Sequence, residues 1–319
     1  MWASAADGAQ NAPTDSAQEP AIELDPRNLG SVRFRDILER QLDSGEPVAV
    51  PGALPKVSAA RLTIPVREGT PGRHYILKLS TPEMPRLVEN ECFFMRAARA
   101  VGIQTARVKR VKDAVREADL LVERFDRRPF QASKSQAITD SAQFHRKGAF
   151  ERLHQEGAVQ LLDRYPGEKY RVPIGEVMTA LDVRSAPVVE RLRLLERLAF
   201  AYLIADGDLH GKNITVLTRD GRTTLAPAYD VRSTLPYGDN RQALRIEGRD
   251  QELCRPHFLA LGERHGLRAP AVEKVLARLT SKLGCHREQL PSIGFATKQT
   301  RDLERTLVER IGHLSAQAG

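Results

Sequence analysis

Five residues within Ile204–Leu217, IADGDLHGKNITVL, carry groups that move protons or hold cations: Asp206, Asp208, His210, Lys212 and Asn213. Asp208 and Asn213 stand in the pattern Asp-x4-Asn. A carboxylate so placed can accept the proton of an attacking hydroxyl. The amide oxygen further along, joined by a later carboxylate, can hold a hard divalent cation against phosphate oxygens. Asp230 can supply that later carboxylate. Magnesium suits so sparse a set, because it keeps several waters and needs few protein ligands. The chemistry these residue types and spacings allow is phosphoryl transfer to a hydroxyl.

The catalytic loop of phosphotransferases of the protein-kinase type has this spacing. Two other readings use the same residues. In one, Asp206 and Asp208 cap helices and Asn213 finishes a turn. In the other, Asp206, Asp208 and His210 ligate the metal of a hydrolase, which needs further ligands that are not clustered nearby. Asp220-Gly221, between the β-prone runs ITVLT and TTLAP, predicts a hairpin that carries Asp230 back to the loop. Lys78, in the apolar run YILKL, faces away from Leu77 and Leu79 by strand alternation. Glu91 lies in a helical segment beyond it, so the two can form the pairing of strand lysine and helix carboxylate that serves nucleotide phosphates. Glu89 competes for that role. The segment VPGALPK, with Gly52 and Lys56, can make a phosphate-covering turn, although it matches neither GxGxxG nor the P-loop pattern.

VRFRDILERQLDSG, residues 32–45, has the pattern of a short amphipathic helix ended by Gly45. EPVAVPGALPKVSAARLTIPV reads as a strand, a turn at Pro51-Gly52 and a second strand, and HYILKLS as a further strand. EMPRLVENECFFMRAARAVG has helical spacing with Gly102 as its stop. QTARVKRVKDAVREADLLVERFD reads as two strands around a turn. FQASKSQAITDSAQFHRKGAF is polar and loop-like. Beyond it the chain reads as mainly helical, interrupted by the strand pair after Asn213, with PAVEKVLARLTSKLG and TRDLERTLVERIGHLSA as the last helices. The expected fold class is α+β, a small β-rich lobe followed by a larger, mainly helical lobe, with a cleft between them. The expected divisions are a flexible tail over 1–28, an N-lobe over 29–128 and a C-lobe over 129–319, joined near LLVERFDRRP.

Bulk properties narrow the class. A chain of 319 residues can bury one large core or two packed lobes. With 41% hydrophobic and 28% charged residues the composition is that of a soluble globular protein. No run of about 18 apolar residues is present to span a membrane, and the first residues lack both a basic leader and an apolar core of a signal peptide. Cys92, Cys254 and Cys285 are far apart, without CxxC or zinc-type histidine spacing, and predict three reduced, buried thiols in a cytoplasmic protein. The net charge of +8 is partly concentrated in RVKRVKDAVRE and ERFDRRP. It suits an anionic ligand or partner but reads first as a solvated face, and alone does not make a DNA-binding protein.

Taken in order, PGALPK, YILKLS, LVENECFFMRAARAVGI, LLVERFDRR, RLHQEGAVQLL with KY, DGDLHGKN, LAPAYDVRSTLPY and HFLALGERHGL resemble the HipA family of bacterial serine/threonine kinases, best known as toxins of toxin–antitoxin systems. The likeness runs from Pro47 almost to the C-terminus, and DLHGKN followed by AYD is specific within it. The resemblance implies a two-lobed protein-kinase-like fold that uses ATP and magnesium. It implies Asp208 as catalytic base, with His210 and Lys212 supporting the loop and the transferred phosphate. It implies Asn213 and Asp230 as metal ligands, Lys78 with Glu91 at the phosphates, and the backbone from Glu123 to Phe125 holding adenine. The family's protein substrates include aminoacyl-tRNA synthetases. Its usual partner is a small helix-turn-helix antitoxin, through which operator DNA joins the complex; no membrane is involved.

Two departures from the family stand out. Longer members carry an extra N-terminal β-rich subdomain, whereas here some 45 residues precede the Gly-containing turn. The chain thus looks like a short form whose missing subdomain is a separate small protein and a further partner. Ala49 stands where the family often autophosphorylates a serine; Ser44 and Ser58 are out of register, so self-inactivation by that route is not expected. Readings of other classes are a kinase-like module that holds an antitoxin or DNA without catalysis, and a kinase acting on a small molecule. The catalytic loop barely separates the latter from a protein kinase.

Overall fold

The computed structural model describes residues 22–23, 33–34, 36, 62–68, 73–79, 84–115, 118–129, 150–183 and 185–315. The turn carrying Gly52 and Lys56, the positions Ser44, Ala49 and Ser58, the polar stretch 130–149 and, apart from Arg33, Phe34 and Asp36, the expected helix over 32–45 lie outside the described residues.

Alternating apolar residues build a five-stranded sheet. Its strands are β1 (Ile22–Glu23), β2 (Leu62–Glu68), β3 (Arg73–Leu79), β4 (Val108–Lys112) and β5 (Ala118–Glu123), in the order β1-β2-β3-β5-β4. Neighbours run antiparallel except β1, which is parallel to β2 with Ile22 opposite Val66. β1 falls within the stretch expected to be a tail. Ile22-Glu23-Leu24-Asp25 alternates apolar and polar in sequence, and an open sheet edge offers the backbone of Ile22 and Glu23 a partner. Helix α1 (Leu87–Ala100) covers one face, where Val88, Cys92 and Met95 share a core with Leu120 and Val122. Lys78 pairs in register with Leu120, so it stands on this helix-covered face. The helix stops at Val101 and Gly102, the latter at φ +103, a left-handed conformation that glycine adopts without steric cost. On the outer edge strand β4, Lys109, Arg110 and Lys112 are exposed, as a solvated basic face and a guard against edge-to-edge pairing require.

Beyond the sheet, β6 (Arg127–Pro129) pairs with β7 (Phe150–Arg152) across the place where the sequence divides the lobes. A second sheet holds β8 (His154–Gly157), β9 (Thr215–Arg219) and β10 (Arg222–Leu225), in the order β10-β9-β8. Asp220 and Gly221 close the β9–β10 hairpin at φ 50 and 72, the two positive values of a type I′ turn. β8 was not expected. HQEG has neither alternation nor β-branched residues, and it is extended because it pairs with the edge of β9, Gly157 opposite Thr215.

The helices are α2 (Ala158–Leu161), α3 (Ile174–Ala180), α4 (Pro187–Leu203), α5 (Arg255–Arg264), α6 (Ala269–Gly284) and α7 (Thr297–Leu314). α4 is their axis. Its second half, LLERLAFAYL, is buried on every side because α5, α6 and α7 all pack on it. Each of its large apolar side chains contributes about 1.5–3 kcal/mol on burial, which fixes the direction in which α4 delivers the next residues. The cysteines differ from expectation: Cys92 is buried in the core, but Cys254 is half-buried and Cys285, just past the end of α6, is exposed.

Candidate active site

α4 leads directly into the polar loop. Ala205 turns the chain at φ 54, an unusual conformation for a residue with a Cβ. Thr234 holds that turn. Its N–H and hydroxyl donate to the Ala205 carbonyl at 2.8 and 3.0 Å, and its hydroxyl accepts the Gly207 N–H at 2.8 Å. Asp206 is buried beneath, accepting the Asp208 N–H at 3.0 Å. Burial pushes its carboxyl up to about 8, more than Arg232 and that hydrogen bond pull it down, so it is mostly protonated at neutral pH.

The Asp-x4-Asn spacing closes on itself. The Asn213 side-chain amide and the His210 N–H both donate to the Asp208 carbonyl at 2.8 Å, and the Asn213 N–H donates to the His210 carbonyl at 2.8 Å. Gly211, whose N–H donates to the Lys169 carbonyl at 2.8 Å, has no room for a side chain: a Cβ would meet Val172 at 2.7 Å and Val159 at 3.0 Å. The hairpin then brings the chain back. The Tyr229 hydroxyl donates to the Lys212 carbonyl at 2.7 Å, and Asp230 follows at φ 62.

Asp208, Asp230 and the N-lobe meet at two cations. Arg232 donates through Nη1 to Asp230 Oδ1 at 2.5 Å and through Nη2 to Asp208 Oδ2. Burial lowers its pKa, but the Asp230 and Asp208 carboxylates outweigh that, and the guanidinium stays charged. Lys78 Nζ lies 2.5 Å from Glu91 Oε1 and 3.4 Å from Asp230 Oδ1. Glu89, the competing carboxylate, instead pairs with Arg86 at 3.2 Å. Tyr170 donates its hydroxyl to Asp208 Oδ1 at 2.6 Å, with its ring edge-on to His210 at 5.1 Å. Burial and that carboxylate raise the phenol's pKa and keep it protonated. A cavity of about 390 Å³ opens beside Asp208, lined by Tyr170, Gly207, Arg232, Thr234 and Asp239.

The remaining expected site residues fall around this cluster. His210 is buried with Nε2 3.7 Å from Asp208 Oδ1, and burial lowers its pKa more than Asp208 raises it, leaving the ring neutral. Lys212 is half-buried with its carbonyl held by Tyr229. At the end of β5 the Glu123 N–H donates to the Arg107 carbonyl at 2.8 Å, and the next N–H, of Arg124, to the His74 carbonyl at 2.8 Å. Phe125 leaves the sheet and packs its ring 5.6 Å from Tyr229, which joins this segment to the polar loop after α4.

The donor set fits magnesium. With its amide nitrogen spent on Asp208, Asn213 has its carbonyl oxygen left for a hard cation, and Asp230 adds a carboxylate. Among the described residues no group of three His, Cys, Asp or Glu side chains is placed to hold a metal, so the hydrolase reading of Asp206, Asp208 and His210 has no site.

Comparison with known proteins gives this arrangement a family. A model of the HipA-like C-terminal domain matches residues 48–285. The chain belongs to the HipA-like C-terminal domain family. It is 32% identical over 234 residues to "Putative kinase Y4mE" of Sinorhizobium fredii, covering 68% of this chain and 51% of that protein. It is 34% identical over 203 residues to "Putative kinase Y4dM" of the same organism, covering 58% and 43%. The chain thus spans about half the length of the curated relatives it matches. Among solved structures, HipA of Shewanella oneidensis, in a complex with HipB and its operator DNA, superposes with a TM-score of 0.64 at 18% identity, over 89% of this chain and 71% of that one. The Helicobacter pylori proinflammatory kinase CtkA superposes with a TM-score of 0.50 at 10% identity, over 79% and 88%. The fold is therefore α+β and two-lobed in the manner of the HipA-like kinases.

Two residues at the centre of the site escaped the reading of the sequence. Arg232 is two positions past Asp230 within YDVRST, and Tyr170 belongs to the KY pair noted in the resemblance. The signal available for Arg232 was a cation close to a metal-seeking carboxylate, and for Tyr170 there was none beyond the pair itself.

Proposed function

We propose that the chain is an ATP- and magnesium-dependent serine/threonine protein kinase that acts as the toxin of a toxin–antitoxin system in the cytoplasm. The observation that carries this is the convergence of Lys78, paired with Glu91, on Asp230, 152 positions away, beside Asp208 and Asn213. In this reading Asp208 accepts the proton of the acceptor hydroxyl, whose oxygen bonds to the γ-phosphorus while the bond to the bridging oxygen breaks and ADP leaves. Lys78, oriented by Glu91, binds the nucleotide phosphates. Asn213 and Asp230 would hold magnesium, which when bound would supply charge neutralisation at the phosphates. His210 and Lys212 support the loop. The backbone from Glu123 to Phe125 would hold adenine; Gly52 and Lys56, read from the sequence as a phosphate-covering turn, fall outside the described residues.

The Shewanella oneidensis HipA structure, solved with HipB and operator DNA, supports an antitoxin partner and indirect contact with DNA. The family resemblance favours a translation component, such as an aminoacyl-tRNA synthetase, as acceptor. Among the described residues no helix is long and apolar enough to cross a membrane. The test is transfer from γ-labelled ATP into proteins of a bacterial lysate, wild type beside Asp208→Asn, with and without chelator. Labelled bands seen only with wild type and magnesium are expected. Equal labelling by both proteins would refute Asp208 as the base, and no labelling despite ATP binding would favour a binding module.

A further inference from the structure

Arg232 is buried to 8% exposure at the meeting point of the two carboxylates that the phosphotransfer reading needs most. Nη1 is spent on Asp230 and Nη2 on Asp208, but Nε is buried with no hydrogen-bond partner among the described residues. A buried, charged donor without a partner costs about 1–3 kcal/mol or more, a cost that a bound anionic oxygen would relieve. The residue also lines the cavity that opens beside Asp208. A planar fork of donors next to a base and a phosphate-binding lysine matches the oxygens of a phosphoryl group, which a lysine meets only as a point charge.

We infer that Arg232 is a catalytic residue that binds the transferred phosphoryl group and, through the same guanidinium, aligns Asp208. This rests on the phosphotransfer reading of the cleft. The proton still passes from the acceptor hydroxyl to Asp208 and ADP is still the leaving group; Arg232 neither gains nor loses a proton. It spreads the charge that develops on the equatorial oxygens, as an arginine supplied in cis does in other phosphotransferases.

The experiment compares wild type, Arg232→Ala and Arg232→Lys as full chains. It reads magnesium–ATP affinity by calorimetry, labelled phosphate transfer, and the gain in ADP affinity on adding aluminium fluoride, a mimic of the transferred group. In Arg232→Ala, ATP affinity should stay within about threefold while transfer falls on the order of 10³-fold. The aluminium fluoride gain should vanish, and added guanidinium ion should restore part of the lost rate. Arg232→Lys, which keeps the charge and most of the volume, should fold like wild type and still transfer at least about 10²-fold more slowly. Transfer by either variant within about tenfold of wild type would overturn the inference, as would parallel loss of ATP affinity and transfer. The residue would then be only a counter-ion between Asp208 and Asp230. A wild type that binds ATP but transfers nothing would instead refute the phosphotransfer reading itself.

Discussion

Both oxygens of the Asp208 carboxylate are engaged in this structure, Oδ1 by the Tyr170 hydroxyl and Oδ2 by Arg232. In the proposed phosphotransfer reading, Tyr170 therefore holds the place an acceptor hydroxyl would take to reach Asp208. Tyr170→Phe removes that hydroxyl but keeps the ring against His210. The expected result is a lower KM for the protein acceptor with kcat within about threefold of wild type, read from initial rates at saturating ATP. Unchanged KM would mean that Tyr170 does not compete with the acceptor. At this scale the sequence was legible where chemistry dictates spacing. Asp208 and Asn213 are tied by local hydrogen bonds, so their separation along the chain carries the signal. Tyr170 and Arg232 act through contacts 38 and 24 positions away, made by folding rather than by spacing, and no period in the sequence marks them.

The elements translate that chemistry into position. Strand β3 and helix α1 are joined at the cleft by Lys78 and Glu91, whose side chains are 9% and 1% exposed. Breaking a buried pair leaves a charge without its partner. Glu91→Ala should destabilise the fold by about 3–5 kcal/mol in denaturant titration and lower ATP affinity as well. Loss of ATP affinity with full stability would place Glu91 at the nucleotide rather than at the lysine. Gly211 is a second such position. Gly211→Ala presses a methyl group into Val172 and Val159 and should cost about 1–3 kcal/mol, lowering activity through the displaced loop. Activity and midpoint both equal to wild type would show that the loop yields without harm. The sequence made β3, α1, the Asp220-Gly221 hairpin and the last two helices legible, because alternation, helical spacing and turn residues agree there. It did not reveal β8, whose extended form is set by its neighbour β9, nor the choice between Glu91 and Glu89, which depends on the rotation of α1 against the sheet.

In the whole molecule, the cleft exists because the two lobes are pinned close to the site. Asn90 on α1 is fully buried, donating to the Ser233 carbonyl at 2.8 Å and accepting the Ser233 N–H at 3.1 Å. The Ala106 N–H donates to the Ala228 carbonyl and the Ala228 N–H to the Gln104 carbonyl, each at 2.8 Å. These contacts fix Asp230 relative to Lys78, and none is visible in a periodic pattern. Asp206 gives the molecule a pH signature. Its carboxyl is protonated up to about 8 when folded but only to 3.8 when unfolded, so the folded chain holds the extra proton. The stability this contributes is full below 3.8 and lost as pH rises to about 8. Asp206→Asn should flatten that fall, since its amide stays neutral; a wild-type curve parallel to the variant's across this range would contradict a buried neutral Asp206. Whether the cleft is a phosphotransfer site with Asp208 as its base is decided by measuring ATP affinity and phosphoryl transfer together in purified Asp208→Asn. Affinity should stay within about threefold of wild type and transfer should fall at least about 10³-fold. Transfer that persists near the wild-type rate would contradict that role for Asp208.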